Sequence, residues 1–284
     1  MDLNSRTQLC GVLGNPVEHS LSPAIHNAAF QHLGLNYVYL AFRVEQVQEA
    51  VQGIRALGNL RGFSVTIPHK VSIMAFLDEI DDTARHIGAI NTIVKTDDTL
   101  TGFNTDASGA LQALRQAHTP LADKRVLILG SGGAARAIAF GLALHEPIAG
   151  MTILGIIDEE RVNLVGDLRK GTTLSIEEAH LSEETLGPAL EQAQVVIHCT
   201  PLGMHPNVDQ TCVPKNLLKP HLTIMDIVYN PRETRLLREA RGVGCATIPG
   251  LEMFLNQAVA QFELWTGQSA PTSVMRKILE AQFS

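Results

Sequence analysis

The sequence has no excess of positive charge: its 284 residues include 22 Lys and Arg against 29 Asp and Glu, a formal net charge of -7. Without a basic run, neither nucleic acid nor an anionic membrane surface is expected as the main partner. The sequence also has no run of about 18 apolar residues, so we predict no membrane-spanning helix. Residues 1–9 are polar and lack the apolar core of a secretory signal, so none is expected.

Cysteine is scarce and dispersed. Cys10, Cys199, Cys212 and Cys245 are far apart in the chain, and no C-x-x-C pair occurs. We expect reduced, buried thiols rather than disulfides or a zinc site. The eleven histidines are also scattered and form no H-E-x-x-H pattern. The sequence therefore predicts a site without a metal ion, in a protein of the cytoplasm.

The composition is that of a folded protein with more than one domain. Apolar residues make up 45% and charged residues 18%, values that exclude a largely disordered chain. Single hydrophobic cores stop growing near about 250–300 residues, so a chain of 284 residues favours two domains of roughly 100–150 residues each.

Short strand-like runs alternate with helical patterns in the N-terminal third of the chain. Strands are predicted at residues 9–14, 37–44 and 62–67, with a hairpin formed by 89–95 and 100–103. Helical spacing occurs at residues 47–57 and 71–80. A further helix is predicted where Ser22 suits the N-cap and Pro23 the first helical position. This alternation predicts an α/β domain with a mostly parallel sheet.

A second α/β unit begins near Lys124. The apolar run 125–129 leads into Gly130-Ser131-Gly132-Gly133-Ala134-Ala135, and an apolar helical pattern follows. This order predicts a dinucleotide site, because glycines allow a tight turn and a close approach of the backbone to a pyrophosphate. The alternative is a plain tight turn. Further strands, predicted at 152–157, 194–199, 223–228 and 245–248, complete a doubly wound, Rossmann-type sheet.

Asp158 follows the next strand, at the position that selects the cofactor. A carboxylate there hydrogen-bonds the ribose 2′-hydroxyl of NAD and repels the 2′-phosphate of NADP. An NADP site would favour an arginine, and the first arginine after this strand is Arg161. We therefore favour NAD and leave NADP open. The alternative is that Asp158 only caps the following helix.

Four segments of the first domain concentrate polar side chains at predicted strand ends, where open α/β sheets bind ligands. They are residues 15–23, 64–70, 88–92 and 102–106. Their hydroxyls, amides, lysine and carboxylate suit a polyhydroxylated substrate and one proton-transfer pair. Lys70 is the candidate acid/base, since it would lie in the first turn of a helix opened by Pro68, where the dipole disfavours a cation. Asp106 would orient Lys70. Alternatively, Lys70 is a solvated surface lysine, and Asp106 and Ser22 are helix caps.

Seven motifs, spread over nearly the whole chain, resemble those of shikimate dehydrogenases and quinate/shikimate dehydrogenases. They are Asn15-Pro16-x-x-His19-Ser20-x-Ser22-Pro23, Val65-Thr66-Ile67-Pro68-His69-Lys70, Gly88-Ala89-Ile90-Asn91-Thr92, Asn104-Thr105-Asp106, the glycine-rich turn 130–135, Thr200-Pro201-Leu202-Gly203-Met204, and Gly250-Leu251-x-Met253 with Gln257. The resemblance implies a reversible oxidation of shikimate at its C3 hydroxyl to 3-dehydroshikimate, with hydride passing to a nicotinamide.

The resemblance also implies roles for individual residues. Lys70 and Asp106 would form the catalytic pair. The substrate would be held through its carboxylate by Ser20, Ser22 and Tyr229, and through its hydroxyls by Thr66, Asn91 and Gln257. The cofactor would be lined by Gly130, Ser131, Gly132, Gly133, Ala134, Asp158, Thr200, Leu202, Met204 and Gly250.

The implied organisation has a cleft between two domains. Residues 1–106 would form the substrate-binding catalytic domain, with the helices of 250–284 packing back on it. Residues 107–249 would form the dinucleotide-binding Rossmann domain. We expect a monomer or a homodimer.

Two departures from the family's pattern bear on the cofactor and the substrate. NADP-using members tend to carry Asn-Arg-Thr where this chain has Gly-Ile-Ile-Asp at 155–158, which favours NAD. Ser64 stands where many relatives have Asn, whereas Ser22, which many quinate-preferring relatives replace, is retained. Shikimate therefore ranks above quinate. The alternatives are an NAD-dependent quinate/shikimate dehydrogenase of quinate catabolism and a non-catalytic sensor that binds NAD or a metabolite on the same fold.

Overall fold

The structure is a computed structural model that describes residues 3–283. Met1, Asp2 and Ser284, at the ends of the predicted domains, lie outside the described residues. The chain forms two compact units, Met1–Thr105 with Gln257–Ser284, and Asp106–Asn256. The units thus divide the chain after Thr105 and after Asn256, against predicted divisions after residues 106 and 249.

The first unit is built on a six-stranded mixed sheet. Its N-terminal segment contains β1 (Gln8–Gly14), α1 (Ser22–His32), β2 (Tyr37–Arg43), α2 (Val47–Ala56), β3 (Leu60–Val65), β4 (Glu79–Ile80), α3 (Asp82–Ile87), β5 (Thr92–Thr96) and β6 (Thr99–Phe103). The strand order is β2-β1-β3-β5-β6-β4, and only the pairs β3–β5 and β5–β6 are antiparallel. The carboxyl ends of β1, β3 and β6 therefore share one sheet edge with the start of β5.

Two apolar layers cover this sheet. Leu13, Phe63 and Ile93 belong to a buried cluster on one side. On the other side Trp265 donates its indole N–H to the carbonyl of Ile93, 2.9 Å away. Gly62 lies directly below this indole, where a Cβ atom would stand 2.2 Å from Trp265 Nε1. A glycine in the middle of β3 is thus required by the close approach of a large side chain.

Two local predictions in this unit are wrong. Residues 71–80 form a five-residue 3₁₀ turn, Ser72–Phe76, and the edge strand β4 instead of a helix. The segment is pulled to the sheet because Asp78 accepts from the backbone N–H of Leu100 at 2.8 Å. Lys70 therefore does not lie in the first turn of an α-helix, so the helix dipole no longer supports its predicted role as acid or base. Ser22 is the first residue of α1 and not its N-cap, which is Leu21, so the capping alternative for Ser22 also fails.

Lys95, a buried cation on β5, ties this strand to the end of α2. Its ammonium group donates to the carbonyls of Ile54, Arg55 and Leu57 at 2.8–2.9 Å. The carbonyls at a helix C-terminus have no partner within the helix, and a cation is favoured there. Lys95 thus donates hydrogen bonds to three backbone carbonyls at the end of α2. A neutral apolar side chain at position 95 would leave these carbonyls without that donor.

We expect Lys95→Met to lower the free energy of unfolding by about 2–3 kcal/mol, because buried carbonyls lose their donor. Urea unfolding followed by circular dichroism measures the change. Lys277→Met, at an exposed site of the same unit, should change stability by less than about 0.5 kcal/mol. Equal effects of the two substitutions would contradict the role given to Lys95.

The second unit is a doubly wound parallel sheet. Its elements are α4 (Thr105–Gln116), β7 (Arg125–Leu129), α5 (Gly133–His145), β8 (Gly150–Gly155), α6 (Asp158–Gly171), β9 (Ile176–His180), α7 (Glu183–Gln192), β10 (Val195–His198), β11 (Thr223–Asp226), α8 (Arg235–Val243) and β12 (Ala246–Pro249). The order β12-β11-β10-β7-β8-β9 reverses direction between β7 and β10, which is where such sheets bind ligands. The polar edge strand β9 was not predicted, because only its first residue is buried.

Two helices end the chain. The boundary between the units falls within α9 (Gly250–Thr266), and α10 (Thr272–Ala281) packs against α1 in the first unit. Phe262, on the part of α9 that belongs to the first unit, packs on Phe30 of α1 with ring centroids 5.3 Å apart. Within residues 3–283, no helix combines the length and the apolar character that crossing a membrane requires.

Candidate active site

The polar segments of the first unit lie together along the shared sheet edge. The backbone N–H of Thr66 donates to the carbonyl of Leu13 at 3.0 Å, which joins the ends of β3 and β1. The N–H of Val65 donates to Asn91 at 2.7 Å, and the N–H of Asn91 donates to Phe103 at 3.1 Å. The N–H of Asn15 donates to the carbonyl of Ile67 at 2.9 Å and joins the segment after β1 to the segment after β3. Direct backbone hydrogen bonds thereby hold the four polar segments at one edge of the sheet.

Lys70 lies in the connection that leaves this edge after β3. Its carbonyl accepts from the N–H of Ile90 at 2.8 Å, which fixes the lysine backbone next to the segment that carries Asn91. On its other side His69 is buried, and its Nε2 contacts the carbonyl of Val44 at 2.7 Å. Lys70 itself is half-buried. The backbone of a candidate proton-transfer residue is therefore held in place from two sides.

Asn91 has a fixed amide orientation. Its Oδ1 accepts from the backbone N–H of Thr105 at 2.7 Å and from the hydroxyl of Thr92 at 2.8 Å, and its Nδ2 donates to the Thr105 hydroxyl at 3.0 Å. These contacts distinguish oxygen from nitrogen in the side chain. They also anchor Thr105, the residue that precedes Asp106.

Gln261 continues this network, and the sequence interpretation missed it. Its Nε2 donates to the hydroxyl of Thr92 at 2.9 Å, and its Oε1 accepts from Ser64 at 2.8 Å. The hydroxyl of Tyr39 in turn donates to Ser64 at 2.7 Å. Gln261 lies one helical turn after Gln257, so the i, i+4 spacing on an amphipathic helix was the signal that could have found it.

The other predicted substrate residues are placed as follows. Ser20 and Ser22 adjoin each other, and the Ser22 N–H donates to the Ser20 hydroxyl at 3.3 Å. Gln257 opens the C-terminal segment of the first unit, whereas Asp106 and Tyr229 belong to the second. Asp106 lies in the first turn of α4. Tyr229 packs on Phe254 with ring centroids 4.9 Å apart, and burial raises its pKa. The pairing of Lys70 with Asp106 stays a prediction.

The glycine-rich turn of the second unit leaves room for a phosphate. Gly130 has a φ of +113°, and a Cβ there would meet the carbonyl of Cys199 at 3.0 Å, so the tight turn requires glycine. Gly132 is the N-cap residue of α5, so no side chain caps the start of this helix. A Cβ on Gly133 would meet no atom within 4 Å. The space beside Gly133 is thus open, while a Cβ on Gly132 would stand 4.0 Å from Glu160 Oε2. A glycine-rich turn that leads into a helix N-terminus suits the pyrophosphate of a dinucleotide.

Asp158 is the first residue of α6, and its side chain is 71% exposed. It accepts a hydrogen bond from Arg161 at 2.6 Å and lies 3.2 Å from His180 Nδ1, and these two partners lower its pKa. Arg161 is turned inward: its side chain is 10% exposed and also donates to Glu178 and to the carbonyl of Gly155. The N-cap of α6 is Ile157, so the alternative that Asp158 is the cap residue fails.

The loop after β10 carries the predicted cofactor residues Thr200, Leu202 and Met204. The N–H of Leu202 donates to the Thr200 hydroxyl at 3.3 Å, Gly203 has a φ of +84°, and Met204 is exposed. Gly250, also predicted at the cofactor, approaches another backbone closely, since a Cβ there would stand 2.3 Å from the carbonyl of Ile227. Its role at the cofactor stays a prediction.

A buried ionic pair behind this loop was not predicted. His198 and Asp226 are register partners at the ends of β10 and β11, and Nδ1 lies 2.9 Å from Oδ1. The sequence feature that could have indicated this pair is an ionisable residue at the end of each of two apolar strands, β10 and β11. Among the described residues, no group of three or more His, Cys, Asp or Glu side chains is arranged to hold a metal ion.

Comparisons with known proteins show the family of the chain. A family model described as the shikimate dehydrogenase substrate binding domain matches residues 12–93, and one described as the shikimate 5'-dehydrogenase C-terminal domain matches residues 250–280. The shikimate dehydrogenase (NADP(+)) of Desulforamulus reducens is 44% identical over 285 residues, which cover 99% of this chain and 97% of the relative.

Solved structures are similarly close. The shikimate 5-dehydrogenase of Listeria monocytogenes, in complex with shikimate and NAD, is 36% identical with a TM-score of 0.93 and covers 98% of both chains. A shikimate dehydrogenase in complex with NADP+ is 39% identical with a TM-score of 0.91, over 100% of this chain and 98% of the other. The predicted fold class and the predicted resemblance are confirmed. With its polar sheet edge and its glycine-rich turn, the chain belongs to the shikimate dehydrogenase family of oxidoreductases.

Proposed function

We propose that this chain oxidises shikimate reversibly at its C3 hydroxyl to 3-dehydroshikimate, with NAD as the preferred acceptor. The observation that carries the proposal is the shared sheet edge of the first unit, where backbone hydrogen bonds hold the Thr66, Asn91 and Lys70 segments together. An edge with several hydroxyls and amides and one lysine suits a ring with several hydroxyls and one proton to transfer.

The residues divide the work between binding and proton transfer. Ser20 and Ser22, with Tyr229, bind the carboxylate. Thr66, Asn91 and Gln257 bind ring hydroxyls, and Asn91 is suited to this because its amide orientation is fixed. Lys70 takes the proton of the C3 hydroxyl as the C–O single bond becomes a carbonyl, and Asp106 orients Lys70. The bound dinucleotide supplies the hydride acceptor.

Initial rates with shikimate or quinate, each with NAD or NADP, test both parts of the proposal. The largest kcat/KM is expected for shikimate with NAD. A larger value for quinate with NAD would overturn the substrate and favour a catabolic role. A larger value for shikimate with NADP would overturn only the cofactor preference. Inactivity in all four combinations, with ligand still bound, would favour a sensor.

The preference for NAD is argued from the end of β8. Asp158 presents a negatively charged carboxylate, with a lowered pKa, where the adenosine ribose is expected. Arg161, the cation nearest in sequence, is committed to Asp158, Glu178 and a backbone carbonyl, so it is not displayed toward a 2′-phosphate. Relatives at 41–45% identity are named as NADP(+) enzymes, whereas two of the similar solved structures hold NAD. The proposal assigns this chain to NAD.

Asp158→Ala is expected to raise KM for NAD about 5–20-fold and to narrow the NAD/NADP ratio of kcat/KM by at least about tenfold. The change removes a hydrogen-bond acceptor for the ribose and a charge that repels the 2′-phosphate. Glu159→Ala, an exposed neighbour on the same helix, is the matched control and should leave the ratio unchanged. An unaltered ratio in Asp158→Ala would remove this residue from cofactor selection.

The proposal also assigns the enzyme to the cytoplasm, as a monomer or a homodimer. Its four cysteines are free thiols, as is usual in a reducing compartment.

A further inference from the structure

His198 and Asp226 form a buried ionic pair that the proposed reaction does not use. Both residues are at most 1% exposed, and they face each other across the ends of two parallel strands. Asp226 accepts from three donors: His198 Nδ1 at 2.9 Å, the hydroxyl of Thr234 at 2.6 Å and the N–H of Val228 at 3.0 Å. A buried carboxylate with three donors holds the histidine ring in one orientation.

The second nitrogen of this ring faces the predicted cofactor loop. His198 Nε2 lies 2.5 Å from the hydroxyl oxygen of Thr200. A carboxylate can only accept, so Nδ1 carries a hydrogen, and the charge of the ring decides whether Nε2 donates to Thr200 or accepts from it.

The surroundings favour the charged ring. Burial acts to lower the pKa of His198, but hydrogen bonds and charge interactions with Asp226 and Cys212 outweigh it and raise the pKa to about 10. The geometry points the same way, since the buried carboxylate of Asp226, 2.9 Å from Nδ1, is compensated when the ring carries a positive charge. In the charged ring both nitrogens donate, Nδ1 to Asp226 and Nε2 to Thr200.

This arrangement fixes the direction of the Thr200 hydroxyl. A threonine hydroxyl can accept two hydrogen bonds and donate one. Here it accepts from His198 Nε2 and from the N–H of Leu202 at 3.3 Å. With both acceptor positions used, its own hydrogen has to point to a third group.

We propose that His198 is a positioning residue that makes Thr200 a hydrogen-bond donor to an oxygen atom of the nicotinamide dinucleotide. The inference rests on the proposed function, which assigns the Thr200 loop to the cofactor. Asp226 acts through His198, because it accepts from Nδ1 and orients the ring, and Thr234 acts through Asp226, to which its hydroxyl donates. A neutral side chain at position 198 would let the Thr200 hydroxyl turn away from the dinucleotide.

The test is a double-mutant cycle on cofactor binding without substrate. His198→Asn keeps a donor for Asp226 and is too short to reach Thr200 as well. Thr200→Val removes the hydroxyl, and Thr200→Ser retains it. The dissociation constant of NADH is measured by the change in its own fluorescence, and circular dichroism checks folding.

We expect the dissociation constant to rise about 5–10-fold in His198→Asn and in Thr200→Val, the usual size for one lost hydrogen bond. The double variant should bind no more weakly than Thr200→Val alone, because His198 acts only through that hydroxyl. Thr200→Ser should stay within about twofold of the wild type.

Two results would overturn the inference while leaving the proposed function intact. One is a double variant in which the two increases of the dissociation constant multiply, which would make His198 a purely structural residue. The other is an unchanged dissociation constant in Thr200→Val, which decides the matter even if His198→Asn does not fold. A wild-type protein that bound no dinucleotide would overturn the inference and the proposed function together.

Discussion

Replacing Lys70 by alanine is expected to lower kcat for shikimate oxidation by about 10²–10⁴-fold, the usual contribution of a positioned acid or base. The hydroxyl proton then has no partner when the carbonyl forms. The backbone of Lys70 is held by the hydrogen bond that its carbonyl accepts from the N–H of Ile90, and by the adjacent buried His69. The substitution should therefore leave the local fold intact. KM for NAD should change little, because the proposal gives Lys70 a role in proton transfer and assigns the cofactor to other residues.

Lys277→Ala is the matched control, since it removes an exposed lysine from the same unit and should leave kcat within about twofold of the wild type. Steady-state rates at saturating shikimate and NAD give the comparison. A Lys70→Ala variant that kept more than about a tenth of wild-type kcat would remove Lys70 from proton transfer. If wild type and variant were equally inactive yet bound ligand, the sensor alternative would take its place.

Asp226→Ala is expected to lower the free energy of unfolding by about 3–5 kcal/mol, the usual cost of removing one partner from a buried ion pair. His198 would keep a buried ring without its counter-charge, and the hydroxyl of Thr234 would lose its acceptor. Urea unfolding at pH 7 measures the loss. A loss below about 1 kcal/mol would show that the pair contributes little to stability.

The dependence on pH serves as the control for this prediction. The pKa of His198 is raised on folding from 6.5 to about 10. Its contribution is therefore fully present below about pH 6.5 and is lost as the pH rises through about 10. Wild-type stability should fall over this range by more than the stability of Asp226→Ala does. Parallel curves would contradict the charged state assigned to His198.

The sequence was most informative where a local pattern has only one physical solution. An apolar run followed by Gly130, Gly132 and a small residue at 135 leaves a tight turn into a helix as the structure, and the positive φ of Gly130 agrees with it. The polar segments after β1, β3 and β6 were also assigned correctly to strand ends, because parallel strands bring their carboxyl ends to one edge.

The pattern was misleading where tertiary contacts outweighed it. Residues 71–80 have helical spacing, but backbone pairing of β4 with β6 and the bond from Leu100 to Asp78 draw the segment to the sheet edge. The interpretation of Lys70 depended partly on that helix, so only its place on the polar edge supports it now. Strand β9 was also missed. It is an edge strand that pairs only with β8, so its sequence need not be apolar.

Networks that join distant parts of the chain could not be predicted from spacing. Gln261 meets Ser64 although they are far apart in sequence, and His198 meets Asp226 only because β10 and β11 pair in one register. Each contact depends on register and on helix rotation, which local propensities do not determine. The residues that position a site were therefore harder to find than the residues proposed to act in it.

Deuterium transfer from shikimate labelled at C3 tests the central claim most directly. The purified enzyme is incubated with the labelled substrate and NAD, and the reduced dinucleotide is analysed by mass spectrometry. We predict reduced NAD that carries one deuterium, together with 3-dehydroshikimate that has lost it. Reduced NAD without deuterium, or no reduction of NAD under conditions that reduce NADP, would contradict the account.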